Sequence, residues 1–228
     1  VVATKLNVPG PNMLRRSETF MRDYYRHTRN LFQHSTSLMQ SFELEVVGDD
    51  TQRLPVFNFL ARQTPTEEIF DGFISKGDLI YPENEKIFEE DPGRMLRFFL
   101  HSQRRNLKTS PAIRKLFKRH WESIDGNFRR SRANRDTFEE ILQNRGQVAH
   151  IFRRMHRVGF LGRYIPEFGQ LTDLVQHEFF HRYSADEHTL RCIEVLDSLI
   201  HSEDPKKQFF RRIFQDMEDP VAMYVALL

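Results

Sequence analysis

Four times after residue 90 this sequence sets a capping side chain directly before proline: Asp91-Pro92, Ser110-Pro111, Asp204-Pro205 and Asp219-Pro220. A helix leaves its first N–H groups without partners. An Asp or Ser oxygen satisfies one of them, and proline at the first helical position removes another. Amphipathic runs follow, among them "GRMLRFFLHSQRR" and "AIRKLFKRHWESI", and Asn134 or Asp136 can open a further one at "TFEEILQN". Signals repeated this often commit the chain beyond Tyr81 to helices. The pattern breaks at "RVGFLGRYIPEFGQL", where Gly159, Gly162, Pro166 and Gly169 mark an expected domain junction.

Residues 12–42 also read as helix, with Phe20, Tyr24, Leu31, Leu38 and Phe42 at four- or seven-residue spacing on one face. Pro11 is a better start signal than Ser17. "ELEVVGDD" and "LPVFNFLA" are short β-like runs, and "DGFISKGDLIYPEN" reads as a hairpin turning at Lys76-Gly77. This small element is expected to be the only sheet. Ten glycines and ten prolines are few for an all-β fold. The expected class is mostly α, a multi-helix bundle-like architecture with a small β-hairpin element in the first third.

Of the 228 residues, 39% are apolar and 29% charged, with 21 phenylalanines to build a core and a net charge of only +2. That charge implies no strongly charged partner. Cys192 is the single cysteine, so no disulfide can form within the chain, and a reducing, cytoplasmic setting is expected. No apolar run reaches the roughly 18 residues of a membrane span. The chain starts at Val1 and stops inside the apolar "DPVAMYVALL". It is therefore expected to be part of a longer polypeptide, with its last helix short of packing partners.

Three features could carry chemistry. His177-Glu178-Phe179-Phe180-His181 matches H-E-x-x-H, in which two imidazoles on one helix face hold zinc and the glutamate acts as base. No third ligand or edge strand accompanies it. His188 opens an amphipathic helix carrying Leu190, Ile193, Leu196 and Ile200, with Asp186 and Glu187 just ahead to orient it. Between Arg94 and Arg135 the chain is strongly basic, Glu122 and Asp125 being its only acids. Such a face can meet phosphate, but it is more often solvated or paired within the fold, so nucleic acid is not expected as a partner. Gly-rich phosphate loops and G-x-S-x-G are absent.

The segment "MHRVGFLGRYIPEFGQLTDLVQHEFFHRYSADEHTLRCIEVL" resembles the junction region of the bacterial protein-PII uridylyltransferase/uridylyl-removing family. Members carry a run like M-x-R-x-G-x-L-G-x-Y-I-P-E-F-G, fitted here from Met155 to Gly169. A run like Q-H-[DE]-x-x-H-x-Y-[ST]-x-D-x-H-T-L follows, fitted by Gln176, His177, Glu178, His181, Tyr183, Ser184, Asp186, His188, Thr189 and Leu190. "FMRDYYRHTRNL" and "IFEEDPGRMLRFF" are similar to the family's upstream helices.

The resemblance implies a nitrogen-regulatory signalling enzyme with a nucleotidyltransferase domain, a helical region, an HD phosphohydrolase domain and two small regulatory domains. Residues 1–168 would be the helical connector, with its β element at about 44–81. Residues 169–228 would be the first helices of a truncated HD domain. His188 matches the first metal ligand of that domain, with Asp186 and Glu187 behind it, and the His-Asp doublet would lie past Leu228. The parent would use Mg or Mn and act on a small PII-like protein. This stretch would hold no complete catalytic set and no tightly bound metal, leaving it inactive by itself.

Two rival readings stand beside this one. The chain could be a zinc hydrolase built on His177, Glu178 and His181, or a non-enzymatic helical interaction module with a basic face. Zinc analysis after dialysis separates them. We expect no stoichiometric zinc and no peptidase activity, since two imidazoles fall short of the three or four ligands zinc takes. One zinc per chain, lost on His181→Ala together with Glu178-dependent peptidase activity, would establish the hydrolase instead.

Overall fold

The structure, a computed structural model, describes residues 2–50, 67–174 and 183–228. A short α1 (Val2–Lys5) leads into the long α2 (Met13–Asp50). Strands β1 (Glu68–Phe70), β2 (Phe73–Lys76) and β3 (Leu79–Pro82) follow, then α3 (Ile87–Glu90), α4 (Arg94–Arg104) and β4 (Lys108–Thr109). The rest is helical: α5 (Pro111–Arg119), α6 (Gly126–Arg130), α7 (Arg132–Gln143), α8 (Val148–Arg157), α9 (Leu161–Tyr164), α10 (Pro166–Leu171), α11 (Ala185–Ser198), α12 (Gln208–Asp216) and α13 (Val221–Leu227). Among the described residues the fold is mostly α with one small sheet, in keeping with the helix-start signals. Among the described residues no helix is long and apolar enough to cross a membrane.

Three of the four proline signals work through one bond. Asp91 Oδ1 accepts from the Gly93 N–H, Asp204 Oδ1 from Lys206 and Asp219 Oδ1 from Val221, each at 2.9 Å. Each carboxylate thus spans its proline in a turn that aims the chain into the following helix. Ser110 is a true cap: its Oγ accepts from the Ile113 N–H at 3.3 Å, with Pro111 in the first helical position. Two expected starts move. Helix α7 begins at Arg132, and Asn134 lies buried inside it, its Nδ2 donating to the Phe128 carbonyl at 2.9 Å. Helix α2 begins after Asn12, whose Oδ1 accepts from the Arg15 N–H at 2.9 Å.

The sheet order is β1-β2-β3-β4, with β4 parallel to β3 and the other pairs antiparallel. The expected hairpin is β2–β3, turning at Gly77-Asp78, one residue later than predicted. A second hairpin, β1–β2, turns at Asp71-Gly72, where both residues have positive φ (50° and 80°) as a tight two-residue turn demands. The run "ELEVVGDD" is not strand-like; it ends α2. Its Glu and Leu favour helix, and two valines do not stop a helix already under way. "LPVFNFLA" lies outside the described residues.

Phenylalanines fill the centre. Phe73, Phe88, Phe98, Phe99, Phe117 and Phe160 are all fully buried, with Phe99–Phe160 ring centroids 5.0 Å apart and Phe88–Phe117 5.1 Å apart. Each such ring stabilises the fold by about 1.5–3 kcal/mol. The same cluster continues through Phe168, Leu190, Ile193, Phe214 and Tyr224, so one core runs across the expected junction. Tyr224 corrects the expectation for the last helix: it is fully buried rather than left without a packing partner. The apolar stripe of α2 forms but is not covered, Leu31 being 72% exposed. This helix docks through polar side chains instead, Gln33 Nε2 donating to the Arg157 carbonyl at 3.0 Å.

Gly162 and Gly169 explain the glycines in the 158–171 segment. Helices α9 and α10 pack backbone against backbone there, and a Cβ built on Gly169 would lie 2.4 Å from the Gly162 carbonyl oxygen. Gly169→Ala is expected to destabilise the chain by about 2 kcal/mol or more in urea unfolding. Gly77→Ala, with open space around it but φ of +58°, should cost about 1 kcal/mol. Equal effects would show that the close approach is absent in solution.

Candidate functional site

Helix α11 carries most of the residues singled out in the sequence. Its buried stripe is Asp186, Leu190, Ile193 and Asp197, an i, i+4, i+7, i+11 face with a carboxylate at each end. This face lies on α8. Buried carboxylates need partners, and both have them.

Asp186, with no exposed surface, accepts from Arg29 at 2.6 Å and from the Asp173 backbone N–H at 3.3 Å, and lies 3.2 Å from His156 Nε2. Arg29 also pairs with Asp173 at 3.0 Å. One carboxylate therefore joins α2, the end of α8, the turn after α10 and the start of α11. Burial alone would raise the pKa of Asp186, but the polar side chains of His156 and Ser184 beside it and the Arg29 guanidinium outweigh it and hold the group well below the usual carboxylate range. Burial keeps Asp173 above its ordinary value, despite Arg29, and the neighbouring Asp186 charge adds to this.

Asp197 works at the opposite end. It accepts from the Gly146 and Ala149 N–H groups at 3.1 and 2.7 Å, capping α8 from another helix, and from the Tyr224 hydroxyl of α13. Burial raises the pKa of Asp197, and burial with the adjacent carboxylate raises that of Tyr224. Between the two ends Arg153 of α8 bonds Glu187 and, at 2.7 Å, Glu194.

The candidate residues divide accordingly. Asp186 and Glu187 are engaged by Arg29, His156 and Arg153. His188 lies on the exposed side of α11, its Nε2 3.8 Å from Cys192 Sγ one turn on. His177, Glu178 and His181 lie outside the described residues. The segments flanking them meet, Ala185 N–H donating to the Leu174 carbonyl at 2.8 Å. Among the described residues no group of three or more His, Cys, Asp or Glu could hold a metal ion. The basic stretch is largely paired within the fold: Arg97 bonds Asp71 and Asp91, Arg105 bonds Glu68, and Arg119 bonds Glu85.

Sequence reasoning missed Arg29, His156, Asp173 and Tyr224, because their partners are remote in the chain. Asp197 did leave a signal. An acid four residues after Ile193 sits where the apolar stripe should continue.

Residues 73–164 match the family described as uridylyltransferase GlnD third domain. Across nearly the whole chain, curated relatives are described as bifunctional uridylyltransferase/uridylyl-removing enzymes. That of Pseudomonas fluorescens strain SBW25 is 29% identical over 99% of this chain and 24% of its own length. The Nitrosospira multiformis protein is 31% identical over the same shares, and that of Azotobacter vinelandii strain DJ is 30% identical over 92% of this chain and 22% of its own length. The chain thus spans about a quarter of the length of these relatives. No solved structure matches it.

The Asp186 cluster sets the acid stability. A carboxylate with a depressed folded pKa stabilises above its unfolded value, near about 3.9, and loses that contribution as pH falls through the folded pKa. Asp173 and Asp197, with raised pKa values, carry the opposite sign: their contribution is greatest at low pH and is lost as pH rises. Asp186→Asn is therefore expected to destabilise by about 3 kcal/mol at pH 7 and to flatten the fall in stability below about pH 4. Urea unfolding across pH checks both, and an unchanged acid limb would remove Asp186 from this role.

Proposed function

Because this chain belongs to the family of bifunctional uridylyltransferase/uridylyl-removing enzymes, we propose that it is the helical connector between a nucleotidyltransferase domain and an HD phosphohydrolase domain that α11 opens. The whole polypeptide would add uridylyl groups to a small nitrogen-regulatory PII-like protein in the cytoplasm and remove them by hydrolysis. The observation that carries this reading is the double clamp on α11. Asp186 and Asp197 tie both of its ends to α2, α8 and α13, so the first helix of the second domain is built into the connector's own core. A displacement of the connector would then carry α11 with it.

The described residues do not themselves fit a divalent metal. His188 is an exposed imidazole with a cysteine sulfur near it, and among the described residues no group of three or more His, Cys, Asp or Glu could hold a metal ion. What α11 supplies is a placed imidazole whose backbone is held by buried carboxylates on the opposite face.

The test uses the longer polypeptide this reading requires. His188→Ala is expected to abolish uridylyl removal and leave uridylyl transfer within about twofold, since the two reactions would occupy separate domains. The 228-residue chain alone is expected to show neither reaction. Unchanged removal in His188→Ala, or equal loss of both activities, would sink the assignment.

A further inference from the structure

We propose that the cleft between α2, α5 and α8 binds a phosphorylated small molecule with a planar apolar part, of the nucleotide class. Two pockets of about 220 and 210 Å³ adjoin there and share Arg114, Arg157 and Val158 as lining. They differ in character. One has an apolar floor of Phe32, Pro111 and Val158 with Lys115 and Lys118 at its edge. The other is walled by His150, Arg153 and Arg154 with Lys108 beside them. Among the described residues no carboxylate lines either pocket.

Outside the cleft the fold matches many of its arginines with carboxylates. Arg97, Arg104, Arg105 and Arg119 each reach a carboxylate. In the cleft Arg153 is balanced by Glu187 and Glu194. Arg154 donates to the Ser102 hydroxyl and the Leu107 carbonyl, which carry no charge to balance its own. No carboxylate of the described residues is within ion-pair distance of Arg157, Lys115 or Lys118. The crowding registers in the neighbours: burial first, then the charge of Arg157, lowers the pKa of Arg114 and of Arg154. His150, though largely exposed, is shifted down in the same way by partial loss of water and by Arg154 and Arg157. Concave, like-charged walls concentrate field on an anion that enters.

Shape selects the anion. The cationic half offers planar guanidinium groups that suit phosphate oxygens. The apolar half, with the Phe32 ring at its rim, offers a stacking surface that a bare phosphate would not use and a nucleobase would. A nucleic-acid duplex would need a longer basic track than two pockets of this size provide. Trp121, the only tryptophan, donates its indole N–H to the Val158 carbonyl at 3.2 Å and so reports on the shared floor. This inference stands apart from the connector reading.

The 228-residue chain would be titrated with adenosine triphosphate, inorganic pyrophosphate and an acidic peptide, followed by calorimetry and Trp121 fluorescence. Adenosine triphosphate is expected to saturate one site, and pyrophosphate to bind there about tenfold more weakly. Arg157→Gln should weaken both phosphates by about tenfold or more. Phe32→Ser should weaken adenosine triphosphate about tenfold and leave pyrophosphate unchanged. Arg132→Gln, on the outer face of α7, should change neither. Both substituted cleft residues are exposed, and circular dichroism confirms that the variants fold. Absence of saturable phosphate binding, equal loss with Arg132→Gln, or an acidic peptide that binds as tightly would overturn the phosphate site. Pyrophosphate binding as tightly as adenosine triphosphate, with no effect of Phe32→Ser, would overturn the nucleotide class.

Discussion

Two carboxylates on one face of α11 hold the last fifth of the chain against the rest. Asp186 receives Arg29 and lies against His156, while Asp197 receives the N–H groups at the start of α8 and the Tyr224 hydroxyl. Leu190 and Ile193 between them supply apolar burial that would tolerate a small slide of α11 along α8. The carboxylates do not tolerate it, because a shift leaves buried charge and a helix terminus without partners. Apolar area provides the attraction, and the two ends set the register.

The same division of labour recurs around the sheet. Phe73 and Ile80 enter the aromatic cluster from β2 and β3, while Asp71 in the first tight turn meets Arg97 and His101 of α4 at 2.7 and 3.2 Å. Helix α2 is the limiting case. Leu31 and Phe32 of its apolar side stay exposed, and Arg29 and Gln33 tie it to the rest of the fold through polar contacts. One clamp residue, Arg29, thus lies about 157 positions from its carboxylate, which makes the long helix part of the α8–α11 assembly.

The core is continuous from the sheet to α13, so the helices on either side of the glycine-rich segment share one packed interior. The backbone contact between Gly162 and Gly169 turns the chain there with no side chain in the way. Such a unit has one packed interior rather than two separable ones. The cationic cleft opens on the same α8 whose other side carries the clamp.

Local chemistry was legible in the sequence. The Asp-Pro and Ser-Pro signals placed four helix starts, the β2–β3 hairpin was found to within a residue, and the run from Met155 to Leu190 pointed to the family. These features depend on neighbours a few positions apart, where backbone hydrogen bonds and turn geometry act. Two local signals run differently in the fold: Asp71-Gly72 is a strong turn pair and makes a second hairpin, and "ELEVVGDD", strand-like by its valines, continues a helix that runs into it. What the sequence could not disclose was which charges meet. Asp186 looked like a support for His188 but turns instead to Arg29 and His156, and the basic run 94–135 looked uniform until the fold matched most of it with acids and left Lys115 and Lys118 beside Arg157. Ion pairing is decided by distance in space, and only the packed helices bring residues so far apart in sequence within a few ångströms.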